Sequence, residues 1–395
     1  MSHSISTADP EPSAPSRGHT VGATTGQWPE RKPIWPDRRV IDLIGIEHPL
    51  VLAPMAGLGT VELAASVCAG GGLGSLGCVG LPPERVMQAV DKLRTLTEKP
   101  INTNFFCHIA APADRAREAN WRDRLAPYYN EFGLDLSLAA AQSEILPFDD
   151  ALCRVVEQVK PEIVSFHFGL PEPTLLARVK AAGCGVMASA TTVAEARWLE
   201  ARGADVIIAQ GCEAGGHRGM ILAENLEEEA ASQPSTLVLV PQIADAIGVP
   251  IVAAGGIADE RGIAAAFALG AAGVQIGTAY LFCPEAAISP LYRDALRQAR
   301  ADTTVLTDVF TGRPARALSN RLTRELGSLH GVTPDFPTPA LTLSPLRRKA
   351  EQQGSREFSP HWAGQAAPLG REMPAEALTR ALAEAALKRF RQLAG

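Results

Sequence analysis

The sequence predicts an α/β fold, a closed (β/α)8 TIM barrel carrying an additional, mostly helical domain. Three observations predict it. Short apolar runs alternate with longer amphipathic ones, about eight such units fit within ~230 residues, and the polar residues gather just past the carboxyl ends of the apolar runs. Strands buried on both faces of a parallel sheet read as continuous apolar runs, without the alternation of half-exposed strands. A doubly wound open sheet shows the same alternation of elements, but it would spread the strand ends along an edge. A barrel gathers them on one face.

In chain order, the candidate strands are Leu50–Pro54, Leu73–Leu76, Ile101–Phe106, Ile163–Phe166, Val186–Ser189, Val206–Ala209, Ile251–Ala254 and Val274–Ile276. Helices are expected over Pro82–Thr97, Asp149–Val159, Thr192–Ala201, Pro241–Ile247 and Asp259–Leu269, each opened by a Pro, Thr or Asp start signal. The barrel is expected to span residues 40–283. Residues 284–372 mix helical segments with breaks such as Thr333–Pro339 and Gly354–Pro360, and are expected to form a mostly helical cover over the barrel mouth. Pro374–Leu393, rich in Ala with apolar residues at helical spacing, is expected as a closing helix (373–395) returning to the barrel wall. Residues 1–39 are rich in Ser, Thr, Pro and Gly and read as a mobile extension. They hold no apolar signal core, and Asp9 and Glu11 argue against a transit peptide.

Composition narrows the class. The chain has 395 residues, of which 46% are hydrophobic and 20% charged, as in ordinary soluble enzymes. A formal charge of -6 without a Lys/Arg run argues against nucleic acid as a partner. No apolar run reaches the length of about 18 residues that suggests a membrane span. The cysteines Cys68, Cys78, Cys107, Cys153, Cys184, Cys212 and Cys283 form no Cys-x-x-Cys pair, so neither a metal site nor a disulfide framework is expected. They read as small core residues in a reducing cytoplasm.

The strongest local signal is the run from Gln210 to Gly219, directly after an apolar strand. Gly215 and Gly216 let the backbone approach a ligand closely, and His217 places a ring that titrates near neutral pH at the catalytic face. A glycine-rich surface turn with a solvated histidine is the plain alternative. Gly255 and Gly256, then Gly277 and Thr278, follow the last two strands, where this fold commonly binds a phosphate. Tight turns alone would explain the glycines but not their pairing on adjacent strands. Ala53, Pro54 and Met55 end the first strand in a loop that can face a planar ring. Asn104 offers an amide able to donate and accept, and Ser165-Phe-His167 points a second histidine at the mouth. A half-buried, satisfied histidine is the commoner meaning of His167 taken alone. No Gly-x-Gly-x-x-Gly opens a helix after a first strand, so a Rossmann nicotinamide site is unsupported, and the run Gly70–Gly74 leads into a strand and reads as a turn.

Taken in order, these motifs resemble the nitronate monooxygenase family (2-nitropropane dioxygenase-like), class I branch, from about Asp42 to Leu387. The marks are Ala53-Pro-Met-Ala, Asn104-Phe-Phe, Ser165-Phe-His-Phe-Gly, Gln210 to Gly219, Ala254-Gly-Gly-Ile, Gln275-Ile-Gly-Thr and Trp362-Ala-Gly-Gln365. The resemblance implies a barrel that holds FMN without a covalent bond and oxidises alkyl nitronates, or nitroalkanes, with O2 to carbonyl compounds and nitrite. It implies FMN contacts from Asn104, Gln210, Gly215, Gly256 and Gln275 through Thr278, with Ala53–Met55 against the isoalloxazine ring. Ser189, Gly216 and Gly255 join that set by position. His217 matches the family's catalytic histidine and His167 its second active-site histidine, while Trp362 and Gln365 would line the substrate pocket. Two departures concern that pocket: His361 stands where the family often has an apolar residue, and pocket tyrosines are not evident, the last being Tyr292. Small-molecule partners are expected, and a homodimer is compatible with this reading. The rival readings are an NAD(P)H-dependent flavin reductase or enoyl-reductase of related barrel type, a flavin-binding protein without turnover, and a phosphosugar or nucleotide enzyme.

Overall fold

The structure, a computed structural model, describes residues 34–109, 112, 114–139, 145–329 and 331–394. Eleven strands are present among them: β1 (Leu50–Leu52), β2 (Gly74–Gly77), β3 (Ile101–Phe106), β4 (Ile163–His167), β5 (Gly185–Ala190), β6 (Val206–Gln210), β7 (Gly216–His217), β8 (Ile251–Ala254), β9 (Gly273–Ile276), β10 (Thr304–Thr307) and β11 (Ala315–Leu318). Eight of them form one parallel sheet in the order β1-β9-β8-β6-β5-β4-β3-β2. The two ends meet. Val51 bridges Leu73 in parallel, and Leu52 N–H donates to Leu73 O at 3.0 Å, which closes the barrel. The strands are buried on both faces, which is why their sequences lack alternation.

Helix starts follow local chemistry. Thr60, Asp149, Thr192 and Asp259 each accept an N–H bond from the first turn of the helix they precede. One helix start differs from expectation. Pro241 was the expected first residue, but the helix runs Thr236–Ala244 with Pro241 inside it. The backbone bond that Pro241 cannot make falls on the outward turn, where Leu237 is exposed, so the loss is tolerable there. The last helix, Ala375–Ala394, lies against helices Val61–Ala69 and Glu260–Ala268. Gly70 allows this: a Cβ there would stand 2.6 Å from Thr379 Cβ.

Two differences concern domain limits. Residues 1–33 of the expected extension lie outside the described residues, but the extension does not reach Arg39. Trp35 is buried and packs its ring on Phe267 and Phe390, since an indole recovers far more by burial than its polar neighbours do. The region expected to be mostly helical also contains a sheet. β10, β11 and β7 pair antiparallel, and Ala317 bridges Trp362. Four-residue strands are too short to display a period. This lobe recruits helix Arg115–Glu131 from between β3 and β4: Trp121, Leu125 and Tyr129 share a core with Val309, Phe310, Leu346 and Phe358. Trp121 Nε1 donates to Thr342 Oγ1 at 2.9 Å and fixes the docking.

Candidate active site

The carboxyl ends of the barrel strands and the lobe above them enclose a cavity of about 340 Å³, within the range of small-molecule sites. Ala53, Pro54, Met55, Asn104, His167, Ser189, Gln210, Gly215, Gly216, His217, Gly255, Gly256, Gln275, Gly277, Thr278 and Trp362 all line it. Gln365 does not. Its N–H is tied to Glu213 O at 3.0 Å, and its side chain leaves the cavity wall to Trp362, Gly364 and Ala366. His361 also stays behind the wall, stacked on Tyr292 with centroids 4.2 Å apart, while Tyr292 Oη donates to Trp362 O. The departure at position 361 therefore supports Trp362 from the rear.

His217 sits on β7, so the antiparallel pairing with Ala315 of β11 fixes its backbone. Its ring meets Trp362, Phe106, Phe168 and Phe336 at centroid distances of 5.3, 5.9, 5.7 and 5.8 Å. Its Nε2 lies 2.9 Å from Thr311 Oγ1, which is 3.3 Å from Arg313 O. A carbonyl can only accept. With the Thr311 hydrogen on Arg313 O, Nε2–H donates to Thr311 and the lone pair falls on Nδ1. Desolvation, then the Arg313 guanidinium, pushes the His217 pKa down to about 3. The ring is neutral at physiological pH and a weak base.

His167 spends both nitrogens inside the protein. Its Nε2 lies 3.2 Å from His217 O, an acceptor only, so Nε2 carries the hydrogen, and Nδ1 then accepts from Ser189 Oγ at 3.1 Å. Burial foremost, with the positive charge of neighbouring groups, holds its pKa down to about 3. This arrangement leaves no nitrogen for a substrate. His167 steadies the backbone of His217, as Gln210 does: Gln210 Nε2 donates to the same carbonyl at 2.9 Å, and its Oε1 accepts from Gly219 N–H at 2.8 Å. Asn104 likewise points both amide hydrogens at Ser165, 3.1 Å from O and 3.0 Å from Oγ, so only its Oδ1 is left for the cavity.

The residues fit a flavin mononucleotide. Among the described residues, the N–H groups of Gly256, Gly277 and Thr278 donate to no acceptor within the chain, as phosphate ligation after β8 and β9 requires. Thr278 Oγ1 accepts from Gly364 N–H at 2.9 Å, and its own hydrogen is uncommitted. Gln275 Oε1, on the cavity wall, is a buried acceptor without a partner among the described residues. Gly216, at φ +76°, would point a Cβ into open space, so its bareness keeps room beside His217.

Sequence reasoning missed Glu213, Thr311 and Phe336 as cavity residues. Glu213 was in view within the motif. Its carboxylate accepts from Thr236 N–H and Oγ1, both at 2.9 Å, at the start of helix Thr236–Ala244. Thr311 and Phe336 had no readable signal. Phe168 was read as part of a motif, yet it adopts φ +65°, a conformation costing a non-glycine residue about 1 kcal/mol.

Fold and site together define a TIM-barrel enzyme with an aromatic-walled cavity at the carboxyl ends of its strands. The chain matches the nitronate monooxygenase family model over residues 37–385 and belongs to that family. It is 42% identical over 349 residues to a nitronate monooxygenase of Pseudomonas aeruginosa, covering 88% of this chain and 98% of the relative. It is 41% identical to one of Paraburkholderia phytofirmans, covering 87% and 94%. Among solved structures, nitroalkane oxidase from Streptomyces ansochromogenes superposes with a TM-score of 0.81 at 35% identity, covering 90% of this chain and 99% of that one. FabK from Thermotoga maritima follows at 0.69 and 30%, covering 90% and 98%. Among the described residues no helix is long and apolar enough to cross a membrane.

Proposed function

We propose that this protein binds FMN and oxidises alkyl nitronates with O2, giving carbonyl compounds and nitrite. The observation that carries the proposal is one cavity that joins His217 to the unused N–H groups of the turns after β8 and β9. Gly256, Gly277 and Thr278 would hold the phosphate, Ala53–Met55 would lie against the ring, and Asn104 Oδ1 and Gln275 Oε1 would accept from it. The bound flavin supplies the redox chemistry. The chain's own residues select, orient and enclose the substrate.

His217 is the catalytic residue, and its weak basicity favours a substrate that is already an anion. A nitronate needs no proton removed, whereas a neutral nitroalkane asks His217 Nδ1 to abstract one, and a base so far below neutral is poorly matched to that task. Phe106, Phe168, Phe336 and Trp362 surround the imidazole and exclude water. His167 and Gln210 act through the His217 carbonyl as positioning residues. The free thiols of the described cysteines suit a reducing compartment such as the cytoplasm.

The test supplies purified protein with propionate 3-nitronate and air, without NADH or NADPH. Oxygen consumption and nitrite release are expected, the protein should be yellow, and heat or acid should release FMN. Rapid NADH oxidation without nitronate turnover would place it with the flavin reductases. Released FAD, or no flavin, would overturn the cofactor assignment.

A further inference from the structure

Arg313 stands in the connection between β10 and β11, behind the aromatic wall and outside the cavity lining. Its guanidinium lies over the Phe168 ring, 4.1 Å from the centroid, and Nη2 donates to Met220 O at 3.1 Å. Among the described residues no carboxylate reaches it within ion-pair distance. The two acids nearest in effect, Asp335 and Glu195, are otherwise engaged. Asp335 pairs with Arg117 at 3.2 Å, and Glu195 accepts from Thr191 N–H and Oγ1 and from Ile221 N–H. The same Phe168 ring touches His217 and His167, with centroids 5.7 and 4.6 Å away. Phe168 holds this place through its left-handed backbone, followed by Gly169 at φ +111°. The Arg313 carbonyl in turn orients the Thr311 hydroxyl against His217.

We propose that Arg313 is the positioning residue that makes the cavity selective for an anion, its unpaired charge acting through the Phe168 ring on a negatively charged substrate beside His217. This rests on the nitronate reading and deepens it. A buried charge is costly unless its partners offset the cost, and among the described residues the partners of the Arg313 guanidinium are the Met220 carbonyl and the Phe168 ring. Burial lowers the Arg313 pKa only to about 10, so the cation persists at neutral pH. It contributes to keeping His217, His167 and His108 neutral, and Arg218 acts the same way on His167, so among the described residues the cations facing this cluster include Arg313 and Arg218. The guanidinium and the His217 ring are at most roughly 10 Å apart, and at an effective dielectric of about 20 a unit charge at that distance changes anion affinity by about tenfold.

The test compares native holoenzyme with Arg313→Gln and Arg313→Lys. Nitrate, a planar oxyanion shaped like a nitronate head, serves as a calorimetric probe alongside steady-state kinetics on propionate 3-nitronate. Arg313→Gln should weaken nitrate binding and raise the nitronate KM about tenfold, with kcat affected far less. Arg313→Lys should recover most of both. Arg313→Met, which keeps an unbranched stem against Phe168, serves if glutamine is not tolerated. Equal nitrate affinity in native and Gln or Met forms would overturn the proposal, as would a lysine form no better than the glutamine one. If native enzyme oxidises no nitronate, the functional reading fails, while the nitrate titration still decides the role of Arg313.

Discussion

Replacing Gln210 by Leu asks whether this buried side chain serves the flavin or the His217 loop. Leucine has nearly the same volume, so packing is kept while two hydrogen bonds disappear: Nε2 to His217 O at 2.9 Å and Gly219 N–H to Oε1 at 2.8 Å. The His217 carbonyl keeps His167 Nε2 as a second donor, but among the described residues Gly219 N–H loses its acceptor. A buried unsatisfied N–H costs about 1–3 kcal/mol and the other bond about 1 kcal/mol, together roughly 2–4 kcal/mol. For about 350 described residues this lowers the melting temperature by roughly 3–5 °C. The β7 segment carrying His217 should loosen, so nitronate turnover should drop by more than tenfold. Flavin content, read from released FMN absorbance per protein, should stay above about half, because the phosphate donors on the turns after β8 and β9 are untouched. A variant with unchanged melting temperature and no flavin would refute this reasoning and return Gln210 to the cofactor.

Two further predictions follow from neighbouring geometry. Gly215→Ala places a methyl 2.6 Å from Gly364 N and 2.7 Å from Ala363 C, so the chain carrying Trp362 must move, and both stability and turnover should fall. Gly216→Ala meets nothing within 4 Å. It should fold with a loss of only about 1–2 kcal/mol from its left-handed backbone, while its methyl intrudes on the cavity and weakens ligand binding; equal stability losses for the two would count against the packing described. On acidification, His167 and His217, both held down to about 3 against an ordinary value of 6.5, must each take up a proton on unfolding between those limits. Stability should therefore be full above about pH 6.5 and decline as pH falls toward 3. The melting temperature of His217→Asn should fall less steeply across that window than that of the native enzyme, and parallel curves would remove His217 as a contributor.

Much of the barrel was legible because its rules are local. A strand buried on both faces must be apolar throughout, and a helix start needs a cap, so β1 to β6, β8 and β9 stand within a residue or two of their expected bounds. The glycine turns and His217 were legible as neighbours because residues just past the carboxyl ends of barrel strands meet on one face, and there they line one cavity. The lobe was not legible. β10 and β11 are four residues each and gain stability only by pairing with each other and with β7, and Trp121 finds its partner Thr342 more than two hundred residues away. Hydrogen-bond commitments were equally hidden. A sequence names an Asn, a Gln or a His as able to donate and accept, but only the tertiary structure decides which of those capacities is already spent. Asn104 spends its hydrogens on Ser165, Gln210 and His167 spend theirs on the His217 carbonyl, and Arg313 keeps its charge unpaired because the packing of β10–β11 against Phe168 brings a ring to it and no carboxylate.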